Sequence, residues 1–158
     1  MADRRVELRE EMIAAHDELL NNLDSFNAED WEQQTYEGWN RKDTFAHLAA
    51  IQARQRAQIQ CALDGSAWNP DPADVNDYNA LEVAKRKSWT TDQVRDEYER
   101  EQASTVALLD KMSEADLQRT YQHPTRGART IETVFEQVAN HTRNHASDIM
   151  AAKQGATP

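Results

Sequence analysis

A single cysteine, Cys61, excludes an internal disulfide and any cysteine-based zinc or iron–sulfur site. Glycine and proline number four each in 158 residues, too few to punctuate the many turns of an all-β chain. No segment approaches the ~18 consecutive apolar residues of a membrane span. The N-terminus, Met1-Ala2-Asp3-Arg4-Arg5-Val6-Glu7, has no apolar signal core. Basic residues are the minority: 18 Lys and Arg against 28 Asp and Glu leave a formal net charge of −10. That balance argues against a surface built to neutralise nucleic-acid phosphates. The one basic run, Lys85-Arg86-Lys87, is short and fits a solvated helix end. The expectation is a cytoplasmic protein with small-molecule partners and neither membrane nor nucleic acid among them.

What is present is helical periodicity. The length suits one domain with a real core, expected over residues 1–153, with a frayed tail at 154–158. The first helix runs from about Arg4 to Asp24, with Val6, Ile13 and Leu20 in one seven-residue series and His16 and Leu23 in the other. The second runs from about Lys42 to Leu63 on Phe45, Leu48, Ile51, Ile59, Ala62 and Leu63. A long connection from Gly65 to Asp77 contains Trp68, Pro70 and Pro72, and a short extra helix at about Val75 to Lys87 follows. Thr90 with Gln93 reads as a capping box opening a third helix to about Met112, with Val94, Tyr98, Thr105, Leu108 and Met112 inward. A turn starts at Ser113, His123 to Gly127 reads as a loop, and Thr130 caps a fourth helix that ends near Lys153. Four long amphipathic helices and no sheet predict an all-α four-helix bundle.

The fourth helix carries His141 and His145, one turn apart and therefore on one face. Its apolar stripe is Ile131, Val134, Phe135, Val138 and Ile149, which puts His145 near the middle of the stripe and His141 on its flank. On the second helix His47 flanks the stripe beside Ile51. Burying three imidazoles without partners is costly; a shared divalent ion would compensate, and three neutral imidazoles leave it open positions. The alternative is that each histidine is hydrogen-bonded core, the commoner fate of a lone histidine on an apolar stripe. His16 fits a core or pocket-wall position ahead of a ligand, and His123 a solvent-exposed loop, with a pocket rim as the alternative. Cys61 fits the apolar side of the second helix.

Other residues are candidates to complete a site, although a surface or capping role is the commoner one for Asp43, Asp148, Arg54 and Glu101 alike. Asp43, one turn before His47, and Asp148, three residues after His145, are placed to hydrogen-bond a ligand imidazole. Arg54, two turns beyond His47, is placed to receive an anionic group, and Glu101 interrupts the inward stripe of the third helix. Gln55 and Gln58 face the interior by spacing, which implies a polar cavity.

Gly38-Trp39-Asn40-Arg41-Lys42-Asp43 followed by Ala46-His47-Leu48, with His141-Thr142-Arg143-Asn144-His145 downstream, resembles the motifs of the DinB-like (YfiT-like) metalloprotein superfamily over nearly the whole chain. The segment Asn76-Asp77-Tyr78-Asn79, leading to Trp89-Thr90, more loosely resembles the connector of its mycothiol-dependent maleylpyruvate isomerase and cyclopropane-hydrolase self-protection branches. The resemblance implies a four-helix bundle holding one divalent ion, zinc or nickel, on His47, His141 and His145, and frequent homodimers. It implies thiol S-transfer or isomerisation of a small electrophile, with a low-molecular-weight thiol as cosubstrate. Arg54, Trp68 and Tyr78 would then bind substrate. Hydrolysis by metal-activated water, with Asp43 or Glu101 as base, and ligand binding without turnover are the alternatives.

Overall fold

Each long helix starts where a polar side chain caps it. The computed structural model describes residues 2–36 and 38–153; the tail expected to fray, residues 154–158, lies outside the described residues. Helix α1 (Arg4–Leu23) is capped by Asp3, whose carboxylate accepts from the Arg5 amide. A one-turn helix α2 (Ala28–Trp31) starts in a capping box of Asn27 and Asp30. Strands β1 (Gln34–Tyr36) and β2 (Trp39–Asn40) form a small antiparallel hairpin. Helix α3 (Arg41–Asp64) begins at a second capping box, Asn40 with Asp43. It stops at Gly65, whose φ of 68° lets the chain turn left-handed and return its amide to the Cys61 carbonyl. Helices α4 (Val75–Lys85) and α5 (Thr91–Asp110) follow, the latter in the expected Thr90–Gln93 box. After α6 (Glu114–Leu117), strands β3 (Thr120–His123) and β4 (Gly127–Thr130) pair antiparallel and lead into α7 (Ile131–Lys153).

Helices α1, α3, α5 and α7 form a four-helix bundle in the ring order α1–α7–α3–α5, with α4 laid across α3. No helix among the described residues is long and apolar enough to cross a membrane.

Three expectations are corrected. The chain does contain strands: the stretch read as a loop at His123 to Gly127 is the turn of the β3–β4 hairpin. There Gly127, at φ 72°, closes a three-residue loop. Strands of two to four residues are too short for an alternation signal to stand out. The inward stripe of α1 is Leu8, Met12, Ala15, Leu19, Leu20 and Leu23, whereas Val6 is 50% exposed. The buried positions there follow four- and three-residue steps from Leu8; of the seven-residue series through Val6 only Leu20 is buried, Ile13 being half-buried and Val6 exposed. In α5, Leu109 rather than Leu108 is fully buried. Gln102 turns inward to donate to the Met12 carbonyl at 3.2 Å, beside the expected Val94, Tyr98 and Thr105.

The apolar core divides in two. One cluster gathers Leu8, Met12, Ile59, Leu109, Phe135 and Val138 toward one end of the bundle. The other gathers Leu19, Phe45, Leu48, Val94, Tyr98 and Ile149 toward the opposite end. Between them every long helix contributes polar side chains: His16 from α1, Gln52 and Gln55 from α3, Gln102 and Thr105 from α5, and Thr142 from α7. Thr105 donates to the Gln52 side-chain oxygen at 2.8 Å. This polar belt crosses the bundle at the level where α7 carries His141 and His145.

Candidate metal centre

The start of α3 is fastened to the end of α7. Arg41 is fully buried; its Nε donates to the Ile149 carbonyl at 2.8 Å and Nη1 to the Asp30 carbonyl at 2.9 Å. Its guanidinium lies 4.6 Å from the Phe26 ring centroid. This bond places the first turns of α3 beside the last turns of α7, so that His47 faces the pair on α7.

The three imidazoles converge. His47 Nε2 and His145 Nε2 lie 3.1 and 3.0 Å from His141 Nε2. The ring centroids are 4.4–4.9 Å apart with planes near perpendicular, and the candidate ligand atoms all fall within 4.8 Å of one another. For metal–nitrogen bonds of 2.0–2.1 Å, nitrogens on one ion stand about 2.9 Å apart at right angles and about 3.3 Å apart at tetrahedral angles. Both spacings from His141 Nε2 lie between these, so the donor set fits a divalent ion.

Protonation states agree with that fit. Burial, reinforced by the neighbouring imidazoles, pushes His47 down to about 2 and His141 down to about 3. Burial also lowers His145, opposed by the adjacent Asp148 carboxylate. All three are neutral near pH 7 and can offer lone pairs.

A second layer holds the rings. Asp148 Oδ2 lies 3.4 Å from His145 Nδ1, and the Tyr36 hydroxyl, 3.1 Å from the same nitrogen, also hydrogen-bonds Asp148. This leaves His145 Nε2 free to face the other two. Burial and Asp148 raise the Tyr36 pKa, so its phenol stays protonated. Trp39 covers His47 from the β1–β2 hairpin, with ring centroids 5.4 Å apart. The roles of Tyr36 and Trp39 were not drawn from sequence, because both depend on a hairpin that the sequence pattern does not announce.

Asp43 and Glu101 stand elsewhere. The Asp43 carboxylate accepts from the Asn40 amide and pairs with Lys87 at 2.7 Å. Glu101 is paired with Arg56 on α3. His16 stacks on Tyr98 inside the bundle, centroids 5.2 Å apart, away from the convergent three. Cys61 is half-buried against the core.

From His47 and His141 a cavity of about 580 Å³ opens between α3, the 65–74 connection and the β3–β4 hairpin, within the range of small-molecule sites. Arg54 and Trp68 line it, while Tyr78 stands behind Arg54. The Arg54 guanidinium sits between the two aromatic rings, 4.7 Å from the Tyr78 centroid and 5.5 Å from that of Trp68. It donates to the Pro72 and Ala73 carbonyls. His123 takes the rim position that was the alternative to a solvent-exposed loop; it is half-buried, its Nδ1 accepting from the Thr125 amide.

A family model described as the DinB superfamily matches residues 11–149. No curated protein matches the sequence. Among solved structures, YfiT from Bacillus subtilis, described as a probable metal-dependent hydrolase with an unusual four-helix bundle topology, is similar at TM-score 0.78 and 15% identity. That match covers 96% of this chain and 86% of the other. A mycothiol-dependent maleylpyruvate isomerase is similar at TM-score 0.76 and 15% identity, over 94% of this chain; this chain spans 63% of the isomerase. A Streptococcus pneumoniae protein is similar at TM-score 0.75 and 12% identity, over 99% and 94% of the two chains. At such identities these likenesses establish the fold.

Proposed function

The chain belongs to the DinB superfamily, and on that footing we propose that it is a divalent-metal enzyme that joins a low-molecular-weight thiol to a small electrophile, as an S-transferase or isomerase. His47, His141 and His145 would hold one zinc or nickel ion, imidazole suiting both. Such an ion supplies Lewis acidity, lowering the pKa of a thiol that reaches its open positions. The observation that carries the reading is the convergence of three neutral imidazoles at the end of a cavity that Arg54 also lines.

The residues of this chain have definable parts in it. Asp148 and Tyr36 orient His145, and Trp39 shields His47 from water. Arg54 receives an anionic group, and Trp68 supplies an apolar wall, with Tyr78 backing Arg54. The only carboxylate lining the cavity among the described residues is Asp74, whose oxygen is engaged by the Asn76 and Asp77 amides at the start of α4. Asp43 and Glu101 are both ion-paired. A nucleophile that needs no carboxylate base, as a metal-activated thiol does, suits this lining better than base-assisted attack of water.

Hydrolysis is the second reading, favoured by the likeness to YfiT. The same proposal treats residues 1–153 as one domain of a cytoplasmic protein, paired with a second copy and engaging neither membrane nor nucleic acid. The test is electrophile consumption by the metal-loaded protein, with and without added thiol. Thiol-dependent consumption that is lost in His141→Ala supports transfer. Thiol-independent consumption supports hydrolysis, and equal rates with and without metal overturn both.

A further inference from the structure

Nine buried side-chain nitrogen and oxygen atoms have no hydrogen-bond partner among the described residues, and five of them belong to residues that line the cavity beside His47 and His141: Gln55 Nε2 and Oε1, Gln58 Oε1, Asn79 Oδ1 and Arg129 Nε. Buried polar groups are normally satisfied, so this concentration marks a place built to receive hydrogen bonds from outside the chain. Among the described residues the same lining contains three arginines, Arg54, Arg126 and Arg129, against the single carboxylate of Asp74. Among the described residues none of the three is ion-paired; Arg54 donates to carbonyls, and Arg129 reaches Gln137 Oε1 at 3.5 Å. An excess of positive charge in the cavity of a chain whose net charge is −10 is a local arrangement that total composition does not produce.

We propose that this cavity is a recognition subsite for a molecule whose non-reacting end carries both a carboxylate and an amide, the carboxylate lying against Arg54 and Arg129 and the amide against Gln55, Gln58 and Asn79. A carboxylate alone does not suffice, because it only accepts, and the orphaned oxygens of Gln58 and Asn79 require donors. An amide alone leaves the guanidiniums without a counter-charge. The assignment deepens the proposed function and rests on it for one point, that the reactive end of the molecule lies toward His47 and His141. Arg126 and Arg129 reach the cavity from the β3–β4 hairpin, so the turn made by Gly127 is part of the recognition surface.

The test is calorimetric titration of the metal-loaded protein with three thiol-free probes: N-acetylglycylglycine, its neutral carboxamide, and glutarate. N-acetylglycylglycine should bind at least about tenfold more tightly than either of the others, each of which forgoes one charge-assisted or amide contact. Arg129→Gln should lose about tenfold for N-acetylglycylglycine and nothing for the carboxamide. Gln55→Leu should weaken both amide-bearing probes and leave glutarate unchanged. Far-UV circular dichroism and thermal melts verify that each variant is folded. Equal affinities for the three probes, no binding by any of them, or an unaffected Arg129→Gln variant overturns the subsite. During turnover, N-acetylglycylglycine should compete with whichever substrate carries the tail, thiol or electrophile; competition with neither overturns the placement. A probe pattern as expected in a protein without turnover would sink the proposed function and leave the subsite standing. Thiol-dependent turnover in a protein that binds no probe would do the reverse.

Discussion

Arg41 Nε, at the first position of α3, donates to the Ile149 carbonyl near the end of α7 across 2.8 Å of fully buried space. The two residues lie just outside the histidines they bring together, His47 on one helix and His145 on the other. Structural fastening and site assembly therefore share one hydrogen bond.

Replacing Arg41 with Met should destabilise the fold by about 2–3 kcal/mol, the usual scale for losing hydrogen bonds from a charged donor, and weaken metal binding along with it. Lys at the same position should not rescue either property, since a single ammonium cannot reproduce the forked contacts to Ile149 and Asp30. Urea unfolding and competitive metal titration measure the two effects.

Metal removal should lower the melting temperature of the wild-type protein, because an ion that binds only the folded chain stabilises it by mass action. Elemental analysis should find one ion per chain. His47→Ala and His141→Ala should carry none, and their melting temperatures should be insensitive to chelator.

Acid should destabilise the metal-free protein in a defined window. In the fold His47 is pushed down to about 2 and His141 to about 3, whereas the unfolded chain returns both to 6.5. The groups have depressed folded values, so as pH falls below 6.5 the unfolded state takes up protons that the folded state refuses, and stability declines toward about pH 3. Above 6.5 this contribution is flat. Denaturant midpoints at pH 7.5, 6 and 5 should show the decline, and His141→Gln should reduce it.

Asp148→Asn should weaken metal affinity by about tenfold or more, the range seen when a partner of a ligating imidazole is altered. Asp43→Asn should leave affinity unchanged and reduce stability by about 1 kcal/mol, through the α3 cap. Equal effects of the two substitutions on metal binding would contradict the separate roles given to these carboxylates.

Most of the bundle was legible because α3 and α7 bury long periodic stripes: Phe45, Leu48 and Ile59 on one, Ile131, Val134, Phe135 and Val138 on the other, all nearly inaccessible. Stripe position alone left His47, His141 and His145 open between hydrogen-bonded core and a shared ion, and the resemblance to the DinB-like motifs grouped them. Asp43 takes the capping role that was its alternative, and Lys87, 44 residues away, pairs with its carboxylate, which proximity along a helix does not reveal. Tyr36, Arg126 and Arg129 escaped notice as site residues, and Trp39 was legible only as part of the Gly38-to-Asp43 motif, because two-stranded hairpins bring them in, and pairing of such short segments is a tertiary matter. Gln55 and Gln58 were readable as lining a polar cavity; the arginines opposite them were not.

The separation of charge between the exterior and the cavity has a consequence for conditions of assay. A small anion approaching this chain meets repulsion from a surface of net charge −10 before it meets the arginines within. Ionic strength acts unequally on the two, because exposed charges are screened beyond about 8–10 Å at physiological salt while partly buried ones are screened much less. Moderate salt should therefore hasten the entry of an anionic molecule more than it loosens its hold, the reverse of the behaviour of an enzyme whose whole surface attracts its substrate.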